Sequence, residues 1–260
     1  MIASYSILLS TLFGCSTSKF PSAEDIPVYT DEENEYISLP ELDETITSLM
    51  VEHSVPGISA CIIKSGEIVW CNGYGYANIE TELEVTPNTP FMLASISKTI
   101  AGVALMHLIE TGAIGLDDPI NDHLLFDVGH PTDETEITAR MLLAHTSGIT
   151  DNWNVMSSLY VNGDSPITLS DFMEGYLTPQ GQWYNADRNF VNGGVTARTV
   201  YSNIGASLAA LLVEPVSGMS FSDYCHTHIF EPLEMDDTAW FISELNEDSV
   251  AVPYFNNGSE

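Results

Sequence analysis

Positive charge is what this sequence most conspicuously lacks. Its 260 residues hold 6 Lys+Arg against 37 Asp+Glu, a formal net charge of -31, and no lysine or arginine follows Asn203. Such a surface repels a polyanion, which excludes nucleic acid as a partner. Self-repulsion at this density opposes a compact chain and salt screens it, so a marine or saline setting is expected. The first 35 residues hold only Glu24, Asp25, Asp31, Glu32, Glu33 and Glu35 against Lys19. Most of the excess therefore belongs to the folded part. Cysteine is scarce: Cys15, Cys61, Cys71 and Cys225 are too few for a disulfide scaffold. No internal repeat is visible. The apolar run at residues 2–13 is too short to span a bilayer. What is present, 44% hydrophobic and 10% aromatic residues, fits a packed core in one large domain or two small ones.

Residues 1–15 read as an export signal. They end Leu12-Phe13-Gly14-Cys15, followed by Ser16-Thr17-Ser18. That resembles a bacterial lipobox, in which Cys15 is lipidated and becomes the mature N-terminus. No Lys or Arg precedes the apolar run, which keeps a plain cleaved signal or an uncleaved anchor open. A lipoprotein of the bacterial cell envelope, held to the membrane by its N-terminus, is the expectation. Residues 16–37, with Pro21, Pro27 and the acids at 31–35, read as a solvated acidic tether. Residues 38–260 form the remaining domain.

Ser38-Leu39-Pro40-Glu41 fits a capping box, and Leu42, Ile46, Leu49 and Met50 then recur at helical spacing up to Val55-Pro56-Gly57. Residues 58–63 and 68–74 are β-rich runs around Lys64-Ser65-Gly66-Glu67, a hairpin. Cys61 and Cys71 flank that turn almost symmetrically, which leaves open a cross-strand disulfide or two buried thiols. Residues 78–90 connect to Phe91-Met92-Leu93-Ala94-Ser95-Ile96-Ser97-Lys98-Thr99, the start of a long helix. Its buried side is expected to hold Ile100, Val103, Ala104 and Leu108, and Gly112 stops it. Further helices are expected at 139–145 behind Thr138, at 170–176, after Tyr201-Ser202-Asn203, and at 221–230. Trp153, Trp183 and Tyr184 lie in loop-rich stretches, where they either line a cleft or pack beneath the loops.

Ser95 and Lys98 stand three apart, on one face at the start of that helix. Serine is a poor nucleophile until a base takes its proton. A lysine serves as that base when burial or other cations lower its pKa. The helix N-terminus favours an anion forming beside Ser95. Ser-x-x-Lys alone is common, and a capping serine followed by a solvated lysine is the plain alternative.

Five stretches in order decide between them. They are 91–99, Gly115-Leu116-Asp117-Asp118-Pro119-Ile120, Leu142-Leu143-Ala144-His145-Thr146-Ser147-Gly148-Ile149, Tyr201-Ser202-Asn203 and Ile229-Phe230-Glu231-Pro232-Leu233-Glu234-Met235. Together, over roughly residues 42–255, they resemble the β-lactamase-related serine hydrolases. That family includes class C β-lactamases, D-alanyl-D-alanine carboxypeptidases, D-aminopeptidases and β-lactamase-like esterases. The resemblance implies an α+β, penicillin-binding-protein-like fold. A mainly antiparallel sheet with flanking helices is joined by a helical region at about residues 100–235, with the active site between them. By the same resemblance Ser95 matches the acylated nucleophile, Lys98 the lysine beside it, Tyr201 the tyrosine that moves the proton, and Asn203 a substrate-binding asparagine. It implies no cofactor and no metal, and a substrate that is a small molecule or peptide: a β-lactam, a D-Ala-D-Ala-type peptide or a short-chain ester. A non-catalytic envelope lipoprotein that binds peptidoglycan-like peptides is the alternative.

His145 reads as structural, pinning the end of its helix. His226 and His228 point apart on a helix, which disfavours a metal site. Two departures from the family stand out. Its third motif, Lys-Thr-Gly or His-x-Gly on a late strand, has no match after Asn203; the literal Lys64-Ser65-Gly66 lies in a hairpin turn ahead of Ser95. The expected sheet therefore lacks its late strands, with the second hairpin strand left as an exposed edge. The chain then reads as a piece of a longer hydrolase, weakly active or inactive as it stands, ending on the hairpin signal Asn257-Gly258. The second departure is Glu234, where the family usually has glycine. Substrate identity and oligomeric state are not legible.

Overall fold

The computed structural model describes residues 22–30 and 36–254. The export signal, Cys15, half of the acidic tether (residues 16–21 and 31–35) and the Asn257-Gly258 turn lie outside the described residues. The described residues form two compact units: residues 93–244, and a second made by the described residues before Leu93 together with 245–254. The fold is α+β.

The second unit is an antiparallel sheet with a helix. Its strands are β1 (Val28–Thr30), β2 (Gly57–Lys64), β3 (Glu67–Asn78) and β4 (Leu83–Glu84), and its helix is α1 (Pro40–His53). The sheet order is β1-β3-β2, with β4 also on β3. The β2–β3 hairpin turns on Ser65 and Gly66, both left-handed at φ 56° and 85°, as a tight two-residue turn requires. Its register sets Cys61 opposite Cys71, and the two form a disulfide. Trp70, Tyr74, Met50 and Ile26 make a small core, with Leu42 and Ile46 of α1 packed on it. Asp43 of α1 accepts from Tyr74 Oη at 2.5 Å and Asn72 Nδ2 at 3.0 Å, tying helix to sheet.

Three expectations need correction in this unit. Residues 28–30 are not tether: they pair with β3, Val28 opposite Tyr74. For that reason β3 is an interior strand, and among the described residues β1 and β2 are the strands at the two ends of the order. The capping box at Ser38 does not form. Leu39 is the N-cap and Pro40 takes the first helical position, where its fixed φ and missing N–H suit it.

The unit of residues 93–244 is helical. It contains α2 (Ser97–Glu110), α3 (Ala139–Leu143), α4 (Trp153–Met156), α5 (Leu169–Leu177), α6 (Asn203–Leu211), α7 (Val213–Ser217) and α8 (Phe221–Cys225). Every residue of α6 is buried, so it is the central helix. Gly205, Ala206, Ser207, Ala209 and Ala210 keep its surface small, which lets neighbouring helices approach closely. One neighbour is α2, whose buried stripe is Ala101, Ala104, Leu105 and Leu108, the i, i+3, i+4, i+7 pattern. Burial of Leu105 and Leu208 is worth about 1.5–3 kcal/mol each. Val103, expected on that stripe, is instead 51% exposed, because Ala101 and Leu105 take the core side of the helix. Gly112 ends α2 at φ 76°. Thr138, Thr168, Ser202 and Ser220 cap α3, α5, α6 and α8 with their hydroxyls.

The Gly115–Ile120 motif holds α3. Leu116 O accepts from Arg140 N at 2.9 Å, and Asp117 takes both guanidinium arms of Arg140 at 2.6 and 2.7 Å. Glu234 stands at φ 55°. The family's glycine there has a conformational reason, since a Cβ disfavours that backbone.

Candidate active site

Ser95 sits in a single 3₁₀ turn, Ala94–Ile96, that runs into α2. Ala94 takes a left-handed φ of 45°, so the chain bends sharply just ahead of the serine. Lys98 follows three residues on, and its Nζ donates to Ser95 Oγ at 3.1 Å. The start of one helix puts those two groups within reach of each other.

Tyr201 and Asn203 are delivered from the opposite end of the unit by a paired scaffold. Residues 145–150 run antiparallel to 189–200. Thr150 N bonds Asn189 O at 2.9 Å, Val191 N bonds Gly148 O at 2.9 Å, and Thr196 N and Val200 N bond Thr146 O and His145 O at 2.8 Å. Gly148 is needed at φ 76°; a Cβ there would meet His130 Cδ2 at 2.9 Å. His130 is itself buried, with Nε2 2.9 Å from Val191 O. Beneath the scaffold Tyr176 Oη donates to Thr150 O at 2.9 Å and accepts from Asn152 N at 2.7 Å. The buried Asn189 closes the network by bonding the Tyr176 and Trp183 carbonyls, each at 2.9 Å.

This scaffold brings all four predicted residues together. Tyr201 Oη is 2.7 Å from Ser95 Oγ. Lys98 Nζ donates to Asn203 Oδ1 at 2.7 Å and stands 4.9 Å from the Tyr201 ring centre. Burial alone would push the Tyr201 phenol up. The hydrogen bonds of Lys98 and Ser95, with the Lys98 charge, outweigh it and hold the phenol below its ordinary value. A phenol so placed trades protons with the serine more readily than one in water.

His145, expected to pin the end of its own helix, instead reaches the Tyr201-Ser202 segment with its side chain. Its Nδ1 accepts from Ser202 N at 3.3 Å and its ring lies 4.7 Å from that of Tyr201. Burial, then the Lys98 charge, lowers its pKa, so at neutral pH it is a neutral acceptor. Trp183 and Tyr184 pack on Phe172 and Phe190 against the core, while Trp153 is exposed. His228 stacks with His107 and Tyr224. Asp151 went unrecognised in the sequence. Its carboxylate accepts from Asn203 N at 2.9 Å, Asn203 Nδ2 at 2.6 Å and Ile204 N at 3.1 Å. More than fifty positions separate the partners, and no spacing rule links them.

The sequence profile of the family described as Beta-lactamase matches residues 42–256. Penicillin-binding protein 4* of Bacillus subtilis is 29% identical over 195 residues, covering 72% of this chain and 38% of that protein. Among solved structures, the octameric penicillin-binding protein homologue from Pyrococcus abyssi is 30% identical with a TM-score of 0.64, covering 83% of this chain and 47% of that one. The D-amino acid amidase from Ochrobactrum anthropi complexed with L-phenylalanine amide is 25% identical with a TM-score of 0.59, covering 77% and 53%. The chain spans 38–52% of the length of the curated relatives it matches. With a match that runs through both halves of the site and most of its length, this chain belongs to the beta-lactamase family of serine hydrolases and penicillin-binding proteins.

Proposed function

We propose that this site forms an acyl-enzyme at Ser95 with an amide or ester: a β-lactam, a D-Ala-D-Ala-type peptide or a short-chain ester. The observation that carries the reading is the meeting of Lys98 Nζ and Tyr201 Oη on one serine oxygen, at 3.1 and 2.7 Å. The Tyr201 phenolate takes the Ser95 proton as Oγ bonds to the substrate carbonyl carbon. Collapse of the tetrahedral intermediate breaks the bond to the leaving group, which departs with the proton held by Tyr201. Water then attacks the acyl carbon, gives its proton to Tyr201, and releases the acid as Ser95 recovers its own. Lys98 holds the phenolate charge throughout. The Ser95 N–H, ahead of the helix, is placed to serve the developing oxyanion.

The same positions in a non-catalytic binder of peptidoglycan-like peptides are the second reading. Export and anchoring through a lipid on Cys15 complete the proposal, placing the domain at the bacterial envelope. A labelled fatty acid incorporated by the wild type and lost in Cys15→Ser would support that part.

The test of the chemistry is labelling by a fluorescent fluorophosphonate and a fluorescent penicillin. Adduct on Ser95, absent from Ser95→Ala, is the expected result. A folded chain that takes up neither probe but binds the peptide would move the assignment to the binder.

A further inference from the structure

We infer that Asp151 is a positioning residue of this site: its carboxylate fixes which way the Asn203 carboxamide faces, and through Asn203 it holds the Lys98 amine against Ser95. Its consequence for catalysis rests on the acyl-enzyme reading, whereas the geometry does not.

A carboxylate only accepts hydrogen bonds. Asp151 receives Asn203 Nδ2 at 2.6 Å, so the amide nitrogen must face it and the amide oxygen must face away. The oxygen so directed accepts from Lys98 Nζ at 2.7 Å. Turning the amide over would set its carbonyl against the carboxylate and its NH₂ against the amine, two repulsive contacts in place of two attractive ones. Asp151 therefore decides what Lys98 meets, although it lies one residue beyond it. The carboxylate is also gripped by backbone, Asn203 N at 2.9 and 3.2 Å and Ile204 N at 3.1 Å, and by the Ser202 hydroxyl at 3.3 Å. Both of its chain neighbours are pinned by one phenol, Thr150 O and Asn152 N on Tyr176 Oη. A group locked on this many sides is preorganised.

A plain helix cap is the competing role. Asp151 shares that role, taking Asn203 N and Ile204 N while Ser202 Oγ takes Gly205 N at 2.9 Å. The bond to the Asn203 side chain adds nothing to the cap; it serves only the amide's direction. The titratable groups within reach of the Asp151 charge are His145, Tyr176 and Tyr201, and Lys98 bears on His145 and Tyr201 as well.

Asp151→Asn in the full chain separates the roles. The variant offers an NH₂ where Asn203 needs an acceptor, so the Asn203 amide turns over and Lys98 Nζ leaves Ser95. The first measurement needs no turnover: ¹⁵N NMR of the Asn203 side chain and of Lys98 Nζ. Both resonances are expected to shift in D151N. The reciprocal D151N/N203D pair is expected to restore the Lys98 signal, since the amide introduced at position 151 then donates to a carboxylate that accepts from Lys98. An unchanged Lys98 signal in D151N overturns the inference. The second is the rate of fluorophosphonate labelling against pH. A displaced Lys98 no longer holds the Tyr201 phenol down, so the acid limb moves to higher pH and the rate falls roughly 100-fold. Loss of a nearby negative charge alone would move the limb to lower pH, and a mere cap would change only the thermal midpoint; either result also overturns it. If the wild type is not labelled, the acyl-enzyme reading fails while the NMR comparison still decides the role of Asp151. Should D151N not fold, Asp151→Glu, which shifts the carboxylate by one methylene, carries the same measurements.

Discussion

The two halves of the site are assembled in opposite ways. Ser95 and Lys98 stand three positions apart, and the start of α2 puts them within reach of each other, with Asn203 then holding the amine at 3.1 Å from the serine. Tyr201 and Asn203 arrive from more than a hundred residues away, held by His145, Asp151 and the 145–150 ladder. The reactive pair thus depends on local helix geometry. The half that handles the proton is only as well placed as its scaffold. Damage to the core or loops should reach the second long before the first.

Tyr201→Phe breaks the comparison at its strongest point. Fluorophosphonate labelling should fall roughly 10²–10⁴-fold, the usual contribution of a general base. In the wild type the rate should rise with pH along a limb below the phenol's ordinary value, because Lys98 favours the phenolate; the phenylalanine variant should lose that limb. Tyr201 is 52% exposed and keeps its ring, so the thermal midpoint should hardly move. A variant as fast as the wild type would mean that the local pair suffices.

His145 tests the scaffold rather than the chemistry. Its φ of 56° and its Nδ1 bond to Ser202 N are separate contributions. His145→Asn tolerates the left-handed backbone and offers an oxygen near the place of Nδ1, whereas His145→Ala does neither. Labelling should drop roughly 100-fold for alanine and less for asparagine, the range expected when a reacting group drifts by about an ångström. Equal rates for both and the wild type would show that the backbone ladder positions Tyr201 unaided.

A stabilising change distinguishes general rigidity from placement. Glu234 carries a Cβ at φ 55°, remote in sequence from both halves. Glu234→Gly relieves that conformation and should raise stability by about 1 kcal/mol in thermal or urea unfolding. The labelling rate should stay as it was. If it rose with stability, the second half would be limited by the firmness of the whole unit and not by His145 and Asp151.

The same division explains how much was legible in the sequence. Ser95 with Lys98, the hairpin at Ser65-Gly66, the Gly112 stop and the Thr138 cap all follow from contacts within a few residues, and these could be read directly. Tyr201 and Asn203 could be named only because a resemblance supplied the long-range pairing. Asp151 had neither local spacing nor a familiar motif to mark it, since its partners Asn203 and Ile204 meet it only after the ladder has formed. Residues 28–30 were misread for a similar reason: three residues in an acidic stretch look solvated until β3 offers them a partner. Val103 failed on register, because period alone does not say which of two adjacent stripes on α2 meets α6.

Salt produces the smallest effect and separates surface from site. With a formal charge of -31, the repulsion among exposed carboxylates is largely screened once the Debye length shrinks to a few ångströms near 1 M salt. Screening lowers the free energy of the compact state more than that of the expanded chain, where the same charges stand farther apart. The thermal midpoint should therefore rise steadily from low to molar salt. Asn203 is buried and its bonds to Lys98 and Asp151 are short, so ions do not reach between them. The ¹⁵N signals of Lys98 Nζ and of the Asn203 side chain should then keep their positions while the midpoint climbs. If they moved with salt as well, the Lys98–Asn203–Asp151 chain would be open to solvent, and the second half would owe its electrostatics to the surface rather than to its scaffold.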